Sequence, residues 1–289
     1  MMGPLLLLLT TFIWGTAFLA QKYGADSFGP FALTSFRNFL GGGFLLTLIA
    51  LRRRRGGFAA RRSAVAGVWC GLPLFAAMLA QQIGIEHTTP GISAFLTTNY
   101  VIFVPLATIV LTRRLPRAAV WAGMALAIVG TWLICMNGEA MSLGRGEAWT
   151  ILCAALFSVQ MLAVDHFAPT CDVLVMSAAQ LVTAAVCSLP FVLLPSECAR
   201  LAECSFSLAS LWPLVYLGVF SSGIAYTLQN YGQARTPPAL AAIILSMESV
   251  FGALSGYVVR GDVMTVAQFV GCSLVFSAVV VSQLPAKGR

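Results

Sequence analysis

The sequence predicts an all-α integral membrane protein with ten transmembrane helices, arranged as two inverted five-helix repeats. Three observations predict this fold class. Hydrophobic residues make up 59% of the 289 residues and charged residues only 9%, whereas soluble domains carry about 25% charged residues. Apolar runs of the length that crosses a bilayer, roughly 20 residues each, follow one another along the chain. The second half also repeats features of the first half in the same order.

Ten apolar runs, bounded by glycine, proline or charged residues, provide the predicted spans. The first run lacks a preceding basic segment, which indicates a retained helix and not a cleaved signal peptide. Threonine followed by proline precedes the fourth run (Thr89-Pro90) and the ninth (Thr236-Pro237), and this pair predicts a helix start with a capping hydroxyl. The predicted spans are 3–22, 31–51, 63–84, 91–112, 117–136, 147–165, 173–194, 208–232, 239–259 and 264–284.

The net charge of +7 comes from 17 lysine and arginine residues against 10 acidic residues. Most of the basic residues lie in short connections between apolar runs, so membrane topology explains them and no nucleic-acid binding is predicted. The connections after the second and fourth runs are the richest, with arginines at 52–55 and 113–114. Because cytoplasmic loops retain basic residues, both termini are predicted to lie in the cytoplasm, with the chain in a bacterial inner membrane.

The cysteines predict neither a metal site nor a cofactor. The chain has eight of them but no Cys-x-x-Cys pair, and most fall inside apolar runs, where cysteine behaves as a small hydrophobe. Cys198 and Cys204 share one predicted external connection, in which a disulfide and two free thiols both remain open. Neither His-Glu-x-x-His nor Gly-x-Ser-x-Gly occurs, so the chain is not predicted to be an enzyme.

An internal repeat divides the chain into predicted domains 1–140 and 141–289. An offset of 143 lays the segment that begins at Trp14 over the one that begins at Phe157, and an offset of 148 relates later positions. The matched pairs include Gln81 with Gln229, Gly84 with Gly232, Pro90 with Pro238 and Gly123 with Gly271. An odd number of spans per half makes the copies face opposite ways across the bilayer, as in secondary transporters that bind substrate near the midplane and alternate access.

Polar and aromatic side chains share faces of several predicted spans. On the first span, Trp14, Phe18 and Gln21 follow helical spacing, and such a stripe suits an amphipathic substrate or ordinary helix packing. In the eighth span, Tyr226 and Asn230 continue a polar stripe that begins at Ser222. The predicted cavity residues are Trp14, Phe18, Gln21, Met78, Gln82, Tyr100, Phe157, Gln160, Met161, Tyr226, Asn230 and Glu248.

Two charged residues lie inside predicted spans. Glu248 is deep in the ninth span, where an ionised carboxylate must face protein or water. It is predicted to couple protons, to bind a substrate ammonium, or to serve as a structural carboxyl satisfied by Ser246 or Ser249. Arg37 in the second span is predicted to extend to the outer interface as an anchor, with binding of a substrate carboxylate as the alternative.

The chain resembles the EamA-like branch of the drug/metabolite transporter superfamily over essentially its whole length. The residues that carry the resemblance are Trp14-Gly15-Thr16, Arg37, Thr89-Pro90-Gly91, Pro237-Pro238 and Glu248. The resemblance implies ten helices in a five-plus-five inverted repeat, cytoplasmic termini and a central cavity. Members export amino acids, other metabolites or drugs, and Asn99-Tyr100 is most similar to the aromatic amino acid exporter type.

The sequence departs from this family at the end of the fourth span. Many members have Leu-Gly-Glu there, whereas this chain has Thr112-Arg113-Arg114, and the ninth span ends in Arg260-Gly261-Asp262. A gate role for a carboxylate is therefore not predicted in the first half.

The predicted function is secondary transport that exports small amphipathic metabolites, above all aromatic or large neutral amino acids, by alternating access. The alternatives within the superfamily are a drug carrier and a sugar-phosphate or nucleotide-sugar carrier, and the alternatives from other classes are a channel and an integral membrane enzyme. The predicted partners are a small-molecule substrate and the lipid bilayer, with the chain as a monomer or weak dimer.

Overall fold

The computed structural model describes residues 2–52, 58–88, 90–113, 115–136, 144–204, 207–261 and 263–284. Within these ranges, the side chains at 18, 19, 22, 25, 26, 58, 59, 90, 91, 209 and 260 lie outside the description. The described residues form α-helices and no strand. The helices are α1 (Met2–Phe28), α2 (Pro30–Leu51), α3 (Phe58–Ile85), α4 (Pro90–Thr98), α5 (Tyr100–Thr112), α6 (Ala118–Cys135), α7 (Arg145–Phe167), α8 (Val173–Val192), α9 (Pro195–Glu203), α10 (Leu208–Val215), α11 (Ala225–Gln233), α12 (Pro238–Leu245), α13 (Met247–Ser255) and α14 (Val266–Ser282).

Three of the predicted spans are built from more than one helical segment. Helices α4 and α5 meet at Asn99, and α12 and α13 meet at Ser246. A π-helical segment, Tyr216–Ile224, joins α10 to α11, and a second one, Gly256–Arg260, extends α13. Irregular helix inside a membrane segment is tolerated where protein surrounds it, and π-helical turns are frequent at functional sites.

The apolar character of the helices agrees with the predicted fold class. Among the described residues, eight helices are long and apolar enough to cross a membrane, and two further apolar helices, Met2–Ala17 and Val266–Ser282, are shorter. The all-α prediction is confirmed, and the crossing of all ten apolar segments stays a prediction. Helix α1 continues to Phe28, beyond the predicted end of the first span.

Proline opens several helices, as the sequence predicts, but the threonine caps differ from the prediction. Helix α4 begins at Pro90, while Thr89 lies outside the described residues. Helix α12 begins at Pro238 without a side-chain cap, and the hydroxyl of Thr236 has no hydrogen-bond partner. The predicted cap at Thr236 is therefore wrong, because the intervening Pro237 separates that hydroxyl from the first turn.

Glycine allows close approach where helices cross. A Cβ at Gly130 of α6 would lie 2.7 Å from the carbonyl oxygen of Gly271 in α14, and a Cβ at Gly271 would lie 2.6 Å from that of Gly130. Gly15 of α1 approaches α13 in the same way, with the amide nitrogen of Gly252 at 2.7 Å from an added Cβ. Such approaches stabilise helix pairs in lipid through van der Waals contact.

The first helix of each half packs against the other half of the chain. Helix α1 contacts α10, α11, α12 and α13, and α7 contacts α3, α4 and α5. Helices begin at the offsets seen in the sequence, since Met2 and Arg145 start α1 and α7, and Ala118 and Val266 start α6 and α14. Because α1 packs against the second half and α7 against the first half, residues from both halves lie at the interface between them.

Helix α9 covers the start of α2 through Glu197. This side chain is 2% exposed, and its Oε2 accepts hydrogen bonds from the backbone N–H groups of Phe31 at 3.1 Å and Ala32 at 2.9 Å. The first N–H groups of a helix lack partners within it, so the carboxylate completes α2. Burial raises the pKa of Glu197 above its usual range, although its two backbone hydrogen bonds and Arg200 oppose this. Cys198 and Cys204, which both follow Glu197 in the chain, are free thiols.

We expect Glu197→Ala to lower the free energy of unfolding by about 1–3 kcal/mol, because it leaves buried N–H groups unpaired. Glu197→Gln keeps an acceptor oxygen and is expected to lose less. Since the folded-state pKa is raised, the wild-type protein loses stability as the pH rises from about 4.3 through the raised value, and the Gln variant does not. Thermal unfolding in detergent checks this, with exposed Glu203→Gln as control; an unchanged midpoint for the Ala variant contradicts the capping role.

Candidate functional site

The candidate site lies where the two halves meet, around Trp14 of α1 and Phe157 of α7. Both rings are partly buried, and each packs against two apolar clusters of the described residues. One cluster contains Tyr100 and Met161, and the other contains Met78 and Tyr226. These predicted cavity residues therefore share one central region, which we call the centre.

Trp14 links α1 to the irregular eighth span. Its indole Nε1 donates a hydrogen bond to the backbone oxygen of Ser221 at 3.0 Å, and its ring meets the ring of Tyr226 edge to face, with centroids 4.9 Å apart. Edge-to-face aromatic pairs contribute about 0.5–1.5 kcal/mol beyond the area they bury. The pair forms an aromatic wall on one side of the centre.

Glu248 of α13 is hydrogen-bonded to Tyr100 of α5. The Tyr100 hydroxyl donates to Glu248 Oε1 at 3.2 Å, and both side chains are buried. The predicted serine partners are wrong, since Ser246 donates to the oxygen of Ile243 and Ser249 to the oxygen of Ser246. Serine hydroxyls in a helix often donate to backbone oxygens of the preceding turn. The hydrogen-bond donor to Glu248 is therefore Tyr100, a residue of the first half of the chain.

Arg37 is buried in the protein and does not extend to an interface. It is 7% exposed, its Nε donates to Ser222 Oγ at 3.0 Å, and its Nη2 donates to Ser221 Oγ at 2.9 Å. The predicted anchor role is wrong, because the serines of the π-helical segment from the other half provide acceptors at its depth. Ser221 thus contacts both Arg37 and Trp14.

The two buried charges have no counter-ion among the described residues. The described hydrogen bonds of Arg37 and Glu248 go to hydroxyl groups only. A buried charge that lacks an opposite charge is unfavourable. The centre therefore contains one cationic and one anionic group, and the two do not form an ion pair with each other.

Residues of the centre are related by the offsets of the predicted internal repeat. The offset of 143 relates Trp14 to Phe157, and the offset of 148 relates Met78 to Tyr226 and Tyr100 to Glu248. The helix break at Asn99 lies one residue before Tyr100, and the break at Ser246 lies two residues before Glu248. The Tyr100–Glu248 hydrogen bond therefore joins two residues that the predicted repeat relates.

The other predicted cavity residues have no described hydrogen bond to the residues of the centre, or have side chains outside the described part of the chain. Asn230 is fully buried and donates to Ser177 Oγ at 2.8 Å and to Gln180 Oε1 at 2.9 Å, so its amide group holds α11 to α8. Gln160 is fully buried, and neither of its amide atoms has a partner. No described contact joins Gln82 or half-buried Gln21 to the centre. The side chain of Phe18 lies outside the described residues.

Sequence reasoning missed the serine pair that receives Arg37. Ser222 was part of the predicted polar stripe, but the π-helical segment also turns Ser221 towards the guanidinium. Two adjacent serines beside Gly218 and Gly223 in an apolar span were the available signal. Among the described residues, no group of His, Cys, Asp or Glu could hold a metal ion.

Comparison with protein families identifies the chain. The model of the EamA-like transporter family matches residues 1–136 and, separately, residues 144–283. The chain belongs to the EamA-like transporter family. The EamA-like assignment, together with its apolar helices, makes it a multi-pass membrane protein and a transporter.

Relatives of this EamA-like transporter are described as transporters. An uncharacterized transporter of Archaeoglobus fulgidus is 25% identical over 96% of this chain and 84% of its own length. The Bacillus subtilis uncharacterized transporter YwfM is 24% identical over 99% and 95%. The threonine/homoserine exporter RhtA of Escherichia coli is 24% identical over 62% of this chain and 59% of its own length. A crystal structure of a protein with 21% identity superposes with a TM-score of 0.82 over 99% of both chains, which shows that the fold is shared.

Proposed function

We propose that this EamA-like transporter exports amino acids with aromatic or other large neutral side chains by alternating access. The observation that carries the proposal is the buried centre, which contains one guanidinium, one carboxylate and an aromatic pair. Arg37 and Glu248 carry the opposite charges, and Trp14 with Tyr226 provides the wall. These groups match the parts of a zwitterion with an aromatic side chain.

Each end of an amino acid has a partner in this arrangement. The α-ammonium group pairs with the carboxylate of Glu248 in place of the Tyr100 hydroxyl, and the α-carboxylate receives N–H groups of Arg37 while the serines hold the guanidinium in position. Charge-assisted hydrogen bonds of this kind are about twice as strong as neutral ones. The side chain then stacks on the rings of Trp14 and Tyr226.

The similarity to RhtA supports the class of substrate and the direction of transport. That protein is described as a threonine/homoserine exporter, and both of its named substrates are amino acids. The rings of Trp14 and Tyr226 favour bulky side chains, because aromatic faces pack well against apolar and aromatic surfaces.

The architecture we propose has ten crossing segments in two five-helix repeats, residues 1–140 and 141–289, with opposite orientations. The ten apolar segments and the shared offsets of helix starts support this arrangement. The arginine-rich connections support cytoplasmic termini in a bacterial inner membrane. Rocking of the two halves would open the buried centre to one side at a time.

Counterflow in proteoliposomes tests this function. Vesicles loaded with unlabelled phenylalanine are expected to accumulate labelled phenylalanine transiently, which a carrier does and a channel or an enzyme does not. Unlabelled tryptophan, tyrosine and leucine are expected to compete, and a sugar phosphate and a cationic drug are not. Counterflow of the sugar phosphate or the drug without counterflow of any amino acid would contradict the proposal.

Substrate protection tests the position of the site. In a chain with exposed Cys198 replaced by serine, Met78→Cys and Tyr226→Cys are expected to react with a water-soluble thiol reagent, and phenylalanine is expected to slow the reaction. Val110→Cys is the matched control, because this side chain is 78% exposed on an apolar helix and is expected to face lipid. Labelling at the centre that phenylalanine does not slow would place the substrate elsewhere.

A further inference from the structure

A groove of about 480 Å³ lies between the start of α3 and the end of α7, away from the centre. It borders the connection with the largest group of arginines in the sequence. Its described lining consists of Arg61, Arg62, Val65, Ala66, Trp69, His166, Phe167 and Thr170. Transport as proposed above makes no use of these residues.

The groove is polar at one end and apolar at the other. Arg61 and Arg62 start the face of α3 that Val65 and Trp69 continue at helical spacing, so the tryptophan lies about 12 Å deeper along the helix. Trp69 is 60% exposed and Val65 is 51% exposed, so an apolar surface remains uncovered by protein. Because Ala60–Ile85 is long and apolar enough to span a membrane, we expect this uncovered surface to face the hydrocarbon of the bilayer.

The polar end is built to receive an anion. Arg62 reaches across the groove, where its Nη2 donates to Thr170 Oγ1 at 3.2 Å, and exposed Arg61 and His166 stand beside it. The described lining contains no carboxylate, and Asp165, the neighbour of His166 in the chain, does not line the groove. A guanidinium with free N–H groups binds phosphate oxygens through paired hydrogen bonds.

We propose that this groove binds an anionic glycerophospholipid, with the phosphate on Arg61 and Arg62 and an acyl chain along Val65 and Trp69. Charge complementarity favours this occupant, because arginines at a membrane surface attract anionic lipid headgroups. A soluble anion would leave the exposed apolar half of the groove uncovered. The bound lipid would contact α3 and α7 together, which come from different halves of the chain.

Quenching of Trp69 by brominated lipids tests the site. The protein is placed in phosphatidylcholine vesicles that contain either brominated phosphatidylglycerol or brominated phosphatidylcholine, and the Trp69 signal is the difference between the wild-type protein and Trp69→Phe. Brominated phosphatidylglycerol is expected to quench this signal at a mole fraction about tenfold lower than brominated phosphatidylcholine does. Equal quenching by the two lipids would overturn the proposal.

Charge variants locate the headgroup. The double variant Arg61→Gln/Arg62→Gln is expected to lose the preference, and Arg61→Lys/Arg62→Lys is expected to keep most of it. The matched control Arg113→Gln/Arg117→Gln removes two exposed charges from another connection and is expected to keep the preference fully. If the double Gln variant keeps the preference for phosphatidylglycerol, or if the control loses it equally, the headgroup does not bind at Arg61 and Arg62.

A soluble competitor separates the lipid from a free phosphate. Glycerol phosphate has the anionic group without acyl chains, and millimolar amounts are expected to leave the quenching by brominated phosphatidylglycerol unchanged. Full competition by glycerol phosphate would show that the groove binds phosphate alone and would contradict the proposal that it binds a lipid.

Discussion

Glu248→Gln is expected to reduce phenylalanine counterflow by more than about a hundredfold. The substitution keeps the size of the side chain and an acceptor for the Tyr100 hydroxyl, but it removes the negative charge that faces the substrate ammonium. Leaving a buried charge without its partner is unfavourable by about 3–5 kcal/mol. Tyr100→Phe removes only the 3.2 Å hydrogen bond and is expected to change counterflow by about tenfold or less.

Two comparisons make this result specific. The matched control is Glu203→Gln, the same chemical change at an exposed position of α9, and it is expected to leave counterflow unchanged. A phenylalanine analogue without the ammonium group should be equally poor for the wild-type protein and for Glu248→Gln. A variant that keeps exchange but no longer responds to an imposed pH gradient would assign Glu248 to proton coupling and contradict ammonium binding.

Much of the fold can be predicted from the sequence, because lipid imposes a simple requirement on the chain. Every apolar run of about 20 residues corresponds to helix in the structure, including the runs that contain Pro105 or Pro213. Helix α9 was not predicted, since it is amphipathic and lies in a connection that hydropathy analysis leaves as a loop. Pro195 at its first turn and Glu197 soon after were the local signals.

The contacts of the site were less predictable than its residues. Trp14, Tyr226 and Glu248 were chosen from periodicity and depth, and the structure places all three at the interface between the halves. The partner of Arg37 lies 185 positions away in the chain, in a segment whose π-helical geometry shifts the register of its side chains. Periodicity assumes a regular 3.6-residue turn, so it cannot predict this pairing. The internal offset of 148 does pair Tyr100 with Glu248.

Arg37→Gln is expected to abolish phenylalanine counterflow as completely as Glu248→Gln does. The offset of 143 makes Gln180 the equivalent residue of the second half, so glutamine is a side chain that this helix position accommodates there. The variant keeps hydrogen-bond donors for Ser221 or Ser222 but removes the positive charge. The α-carboxylate would then enter a buried site without a cation, which is unfavourable by several kcal/mol.

The loss should depend on the charge of the substrate. Phenylalanine amide lacks the carboxylate, so its weak transport is expected to be the same in the wild-type protein and in Arg37→Gln. Arg37→Lys retains the charge but cannot bond both serines in the same geometry, and we expect partial counterflow. Exposed Arg235→Gln is the matched control, with full activity expected. An equal fold-loss for phenylalanine and its amide would mean that Arg37 stabilises the helix interface without contacting the carboxylate.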